Sequence, residues 1–230
     1  MTIVILRPSV AFPMTVVIGK RYNVSVNGGS GNPDVTSTRS RSPARARMVS
    51  SAATLIRERG IHGVGLREVV AHSGGPRGSL GRYFPGGKTQ LVTEAIDDAL
   101  AAVYGELDRT LTEAKTFAEA IDMIVMPWRG LLVGHDFALG CPLAATVVDA
   151  ADNDDLRNHV DEMLARWQEP VADVYIKFGA SPAEAEGHAM VLLAALEGAL
   201  ILSRARRSID PLDTVARYFA SRAPGAPVSA

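Results

Sequence analysis

Apolar residues recur along most of this chain with the 3.6-residue period of amphipathic helices, and the period breaks at glycines, prolines and capping residues. Met48, Ala52, Leu55 and Ile56 repeat at i, i+4, i+7 and i+8 from a start near Ser42, and Gly60 supplies the stop. Leu66, Val69 and Val70 give the next helix a buried face, which Ser73-Gly74-Gly75 ends. Pro76 stands where a first helical residue tolerates a missing N–H, so a third helix is predicted over about 76–84. Two short helices around a glycine turn are a helix-turn-helix. Leu91, Ala95, Ala99, Val103, Leu107 and Leu111 then mark a long fourth helix that leaves this module.

Further on, Ile121, Ile124, Val125, Trp128 and Leu132 line one stripe, and Leu156, Val160, Met163, Leu164, Trp167, Val171 and Val174 line another. Thr116 with Glu119 and Ser181 with Glu184 fit the capping box, in which each side chain satisfies an orphan N–H of the other residue's end of the turn. Asp210-Pro211 marks a last start. Pro127 and Pro170 fall inside their stripes, where each removes an i to i−4 bond and is expected to kink its helix. The pattern predicts an all-α chain: a three-helix helix-turn-helix domain over 39–90, a larger helical body over 91–222 and a tail over 223–230. Residues 1–38 differ. They are β-branched and strand-like at 2–6, 15–18 and 22–26 and end in a Gly-Asn-Pro-rich linker, which reads either as a short hairpin or as a poorly ordered extension from an upstream start.

Charge sharpens the division. The net charge of the whole chain is −1, yet residues 39–90 carry +8 and residues 91–230 carry −11. A basic module fused to an acidic body presents one face to a polyanion. With 47% hydrophobic residues the chain can bury a sizeable core. Cys141 is its single cysteine, which excludes an intrachain disulfide and fits a reducing cytoplasm. No uninterrupted apolar run reaches the roughly 18 residues of a membrane span, so no membrane partner is expected. The apolar start is broken by Arg7, Pro8 and Pro13 and lacks a charged leader, so it does not read as a signal peptide.

Arg77, Ser79, Arg82 and Tyr83 fall on the exposed side of the third predicted helix, a set of cations, hydroxyl and aromatic suited to the DNA major groove. The run from Gly60 through Gly74, Arg77-Gly78-Ser79-Leu80, Phe84-Pro85 and Lys88 resembles the N-terminal domain of TetR-type transcriptional repressors. Phe84-Pro85-Gly86-Gly87-Lys88 and the later Gly140-Cys141-Pro142-Leu143 are most similar to its LmrA/YxaF-like branch. The resemblance implies a homodimer that binds a palindromic double-stranded DNA operator and is released by a small apolar or aromatic effector. It places Arg77, Ser79 and Arg82 at base edges, Arg45, Tyr83 and Lys88 at phosphates, and Arg47, Arg67 and Gly78 on the same surface. Val64 and Gly65 stand where the family has hydroxyl residues, and Gly81 where it has Tyr.

Catalytic motifs are near misses. Gly87-Lys88-Thr89 ends like a P-loop, but Arg82 stands five before Gly87 where the first glycine belongs, and Arg77 occupies the first glycine of a G-x-S-x-G elbow around Ser79. The five histidines show no metal-ligand spacing, so neither metal, cofactor nor enzymatic activity is expected. Met126, Trp128, His135, Phe137, Cys141, Trp167 and Tyr175 are candidates for an effector pocket, since aromatics stack and methionines adapt. Singly, each reads as ordinary core more readily than as a ligand contact. The segment 183–202 is apolar nearly all round, so a second subunit is its simplest cover, with Gly187, Ala194, Ala195 and Gly198, plus Tyr218 of the last helix, at the interface. Glu197 stands alone in that segment as a pocket carboxylate or a solvated one. A different function remains open: a helical small-molecule sensor or carrier whose helix-turn-helix is weakened by Gly78 and Gly81.

Overall fold

A computed structural model describes residues 42–224 apart from Arg77, Ala151 and the side chain of Ala102. The expectations for 1–38 and for the last six residues of the tail lie outside the described residues. The described chain is nine helices with no strand: α1 (Pro43–Arg59), α2 (Leu66–Ser73), α3 (Leu80–Tyr83), α4 (Gly87–Glu113), α5 (Phe117–Gly134), α6 (Pro142–Asp149), α7 (Asp154–Lys177), α8 (Pro182–Arg206) and α9 (Asp210–Ala220).

The local signals act where they were read. Gly60 ends α1 at φ +73 and Gly74 ends α2 in the left-handed region, where a Cβ would be strained. Both capping boxes form, Thr116 with Glu119 and Ser181 with Glu184. Asn153 caps α7 by accepting from the Leu156 N–H at 3.1 Å. Pro127 and Pro170 both lie within continuous helices.

The third helix departs from expectation. It starts at Leu80 and not at Pro76, and it is four residues long. Ser79 explains the difference: its N–H and its hydroxyl both donate to the Pro76 carbonyl oxygen, at 3.1 and 2.7 Å. Ser79 is therefore held to Pro76 before the helix begins. Gly78 between them offers no side chain to hold a helical turn.

One continuous apolar core runs from Met48 in α1 to Phe219 in α9. The long helix α4 is its spine, packing on α1 at one end and on α5 and α7 further along. Helix α6 bridges α1 and α7, and α8 lies between α7 and α9. The DNA-binding helices thus rest on the body through α4 and α6. Helix α8 is long and apolar enough, by length and composition alone, to cross a membrane, although Glu184, Glu186 and Glu197 interrupt its apolar run. Its Leu192, Leu196 and Leu200 are buried in the core of this same chain.

Candidate nucleic-acid interface

The helix-turn-helix is built on buried anchors. Val69 and Val70 of α2 and Phe84 after α3 are buried against Met48, Ala52 and Ile56 of α1. The Tyr83 and Ser42 hydroxyls lie 3.1 Å apart, tying the end of α3 to the start of α1. What remains outside is basic. Arg47, Arg67, Arg82, Lys88 and Gly78 are exposed, and Ser79 and Tyr83 are half-buried. Arg82 lies over the Tyr83 ring at 5.9 Å. Arg77 lies outside the described residues.

Two of the cations hold the fold together. Arg45 donates from Nη2 to Glu94 of α4 at 2.6 Å and stacks on Phe84 at 4.9 Å, so its charge is already paired inside the module. Arg47 donates from Nε to the Ser73 carbonyl oxygen at 3.2 Å, capping the end of α2. The family departures are now readable. Gly65 is the N-cap of α2 and provides no side-chain bond, while Gly81 lies within α3 with open space where a Cβ would stand. Neither glycine is demanded by close packing.

A junction behind α1 joins the module to the body. The Gly140 N–H donates to the Arg57 carbonyl oxygen at 3.0 Å, and the His62 N–H donates to Asp149 Oδ2 at 3.0 Å, so both ends of α6 hold the end of α1 and the loop after it. Arg204 of α8 donates from Nη2 to the carbonyl oxygens of Glu58 at 3.1 Å and Ala138 at 2.8 Å. Sequence reasoning missed Arg57, a buried cation whose Nη2 donates to the Ala99 carbonyl oxygen of α4 at 2.8 Å. Its signal was present: Val49, Ala53 and Arg57 follow one another at i, i+4 and i+8 along a second buried face of α1. Burial depresses the pKa of Arg57, against the opposing pull of nearby acidic groups.

The seven candidate effector residues do not form one group. Trp128 and Trp167 pack with ring centroids 5.5 Å apart, both buried, and neither Nε1 has a hydrogen-bond partner. Tyr175 lies elsewhere, against Phe117 and His188, and its buried hydroxyl is also without a partner, so desolvation raises its pKa. Cys141 is buried beside Glu197, and desolvation pushes the thiol up. Met126 and His135 are exposed. Phe137 is half-buried in the turn after α5, where it and Asp136 both take positive φ. Periodicity placed these residues on helices but carried no information on which helical faces meet.

Along α8, Gly187, Met190, Val191, Ala194, Gly198, Ile201 and Leu202 form one exposed stripe, and Tyr218 of α9 is exposed as well. Ala195 is half-buried and packs against the core of its own chain, so it stands off the centre of the stripe. Glu197 turns inward: both carboxylate oxygens are buried, and desolvation raises the pKa, moderated by Cys141 and Arg57.

Known proteins share this architecture. Residues 49–95 match the family model for bacterial regulatory proteins of the tetR family, and residues 118–218 match the model for the C-terminal domain of LmrA/YxaF-like transcriptional regulators. Over 183 residues the chain is 42% identical to the HTH-type transcriptional regulator Rv0196 of Mycobacterium tuberculosis, covering 76% of this chain and 91% of the relative. It is 25% identical to the HTH-type transcriptional regulator LmrA of Bacillus subtilis over 170 residues, or 74% of this chain and 90% of that one. Among solved structures, the regulatory protein TetR from Rhodobacter sphaeroides superposes with a TM-score of 0.71 at 20% identity, over 78% of this chain and 98% of that chain. That likeness speaks for the fold.

Proposed function

The chain belongs to the TetR family of bacterial transcriptional regulators, and from that premise we propose that it is a dimeric, ligand-responsive repressor acting on DNA in the cytoplasm. Two copies of α3 enter successive major grooves of a palindromic operator. Arg82, Ser79 and Arg77 meet base edges, while Lys88, Tyr83, Arg47 and Arg67 meet phosphates. Arg45 reaches a phosphate only by leaving Glu94, so its part is chiefly to hold α1 against α4. The exposed stripe on α8, with Tyr218, packs against its copy in the second subunit.

The effector is small and apolar or aromatic and binds between α5 and α7. There the unpaired Nε1 groups of Trp128 and Trp167 offer donors among apolar walls. Binding shifts α4 and α6, which carry the DNA-binding helices, and so alters the spacing of the two α3 helices. The equilibrium moves only to the extent that the effector prefers the conformation that does not bind DNA.

The observation that carries this reading is that Arg47, Arg67, Arg82 and Lys88 of the basic module are all exposed, and that the short α3 has no buried residue of its own. It is tested by fluorescence anisotropy against duplexes tiled across the DNA flanking the chain's own gene, at several salt concentrations. Sequence-preferring binding that falls steeply with salt is expected, because several phosphates release counterions. Binding that is absent or flat in salt favours the sensor or carrier reading, which the short α3 and its open Gly81 support.

A further inference from the structure

Behind the DNA-binding helices, the end of α1, the start of α6 and the last turns of α8 enclose a cleft of about 360 Å³, at the small end of the range for ligand sites. Ala144, Leu200 and Ile201 make its apolar walls, and Arg57, Glu197 and Arg204 its polar ones. Trp128 and Trp167 do not line it.

Glu197 is the anomaly in this cleft. Both of its oxygens are buried, and among the described residues no strong donor reaches them, a costly state for a carboxyl group. The neighbouring Cys141 thiol is a weak donor. Arg57 is within electrostatic reach, but its Nη2 is committed to Ala99, and Nη2 of Arg204 is committed to Glu58 and Ala138. The cleft is therefore lined by a carboxyl group served only by a weak donor, together with guanidinium groups. Its ionisable side chains balance in formal charge: Arg57, Arg59 and Arg204 against Glu58, Asp149 and Glu197. With both signs on its walls, the cleft repels a charged ligand as well as attracting it, and the ligand's lost hydration is not offset. A neutral group with an N–H and a C=O on adjoining atoms satisfies both kinds of wall.

We propose that this cleft is a binding site for a small neutral carboxamide on a compact apolar body. The amide N–H donates to Glu197, the amide oxygen accepts from a guanidinium of Arg204 or Arg57, and the apolar body lies along Ala144, Leu200 and Ile201. The site is separate from the effector region between α5 and α7, and occupation of it does not depend on DNA.

The test is calorimetric titration of the full chain with three probes of nearly the same shape: benzamide, neutral; benzoate, anionic; and benzamidinium, cationic. Benzamide binds one to one and at least about tenfold more tightly than either charged probe. Glu197→Leu removes the acceptors, and Ala144→Phe fills the cleft without touching Glu197; each weakens benzamide by roughly tenfold or more. Circular dichroism and a cooperative thermal melt verify that each variant is folded, and if the leucine variant fails that check Ala144→Phe carries the test. The proposal is overturned if benzamide does not bind at millimolar concentration, if a charged probe binds more tightly, or if the folded Ala144→Phe variant binds benzamide as well as the parent chain.

Discussion

Helices α3 and α8 break the amphipathic rule in opposite directions. Helix α3 has four residues, contains Gly81 and buries none of its side chains. Alone it would not form, since nucleation costs more than so few bonds return. It is held from outside itself, by Phe84 in the core and by Tyr83 against Ser42. Helix α8 has 25 residues, a complete capping box and apolar residues on opposite sides. One side fills the core through Leu192, Leu196 and Leu200, and the other leaves Met190, Val191 and Ile201 more than half exposed. The first spends its sequence on exposed cations and the second on exposed apolar surface. Under the proposed function, the face of each helix that does not serve this chain's stability meets something outside the chain: a polyanion for α3, a second apolar stripe for α8.

The comparison breaks most visibly at α8. Ala194→Arg, or Gly198→Arg, puts a charge and a long stem in the middle of the exposed stripe, and burying that charge without a partner costs several kcal/mol. Sedimentation is expected to report a monomer whose circular dichroism spectrum keeps its helical strength. An arginine at Ala195 lacks this selectivity, because that side chain packs on its own core and the fold itself would suffer.

At α3 the expected effects are smaller and fall on DNA alone. Arg82→Ala costs about 1 to 3 kcal/mol of operator binding and relaxes base preference locally, whereas Lys88→Ala weakens all sequences alike and flattens the salt dependence. Anisotropy against operator and scrambled duplexes separates the two. Equal, sequence-blind losses would remove Arg82 from the base-reading set.

The smallest effect comes from Gly81→Ala. A Cβ at that position meets nothing within 4 Å, so the substitution recovers up to about 1 kcal/mol of helix propensity without strain. A higher melting temperature with DNA binding retained is expected. A loss of DNA binding would show that the glycine is needed for close approach to the duplex.

Much of this architecture was legible in the residues because its causes are local. Gly60, Gly74, Thr116 with Glu119, and Ser181 with Glu184 each act within one turn of helix, and the stripes that begin at Met48 and Leu91 are read by counting. The start of α3 was not legible, because a proline that suits a first helical turn suits an ordinary turn equally, and the Ser79 hydroxyl settled the matter through a contact no pattern announces. The pairing of Arg45 with Glu94 was not legible because Glu94 lies 49 positions away. The cleft around Glu197 brings together Arg57, Cys141 and Arg204 from three helices, and only the packing of α1, α6 and α8 makes them neighbours. Counting put Trp128 and Trp167 on separate stripes and could not tell that their rings meet, nor that Met126 and His135 are exposed.

The pairing of α3 with DNA and of α8 with a second copy meets in one quantity, the number of chains on one duplex. Sedimentation velocity of the full chain with a labelled duplex chosen from the flanking DNA by anisotropy is expected to give two chains per duplex, with Ala194→Arg weakening that binding steeply while Arg82→Ala leaves the free protein dimeric. One chain per duplex, or operator affinity unchanged by Ala194→Arg, would contradict the account.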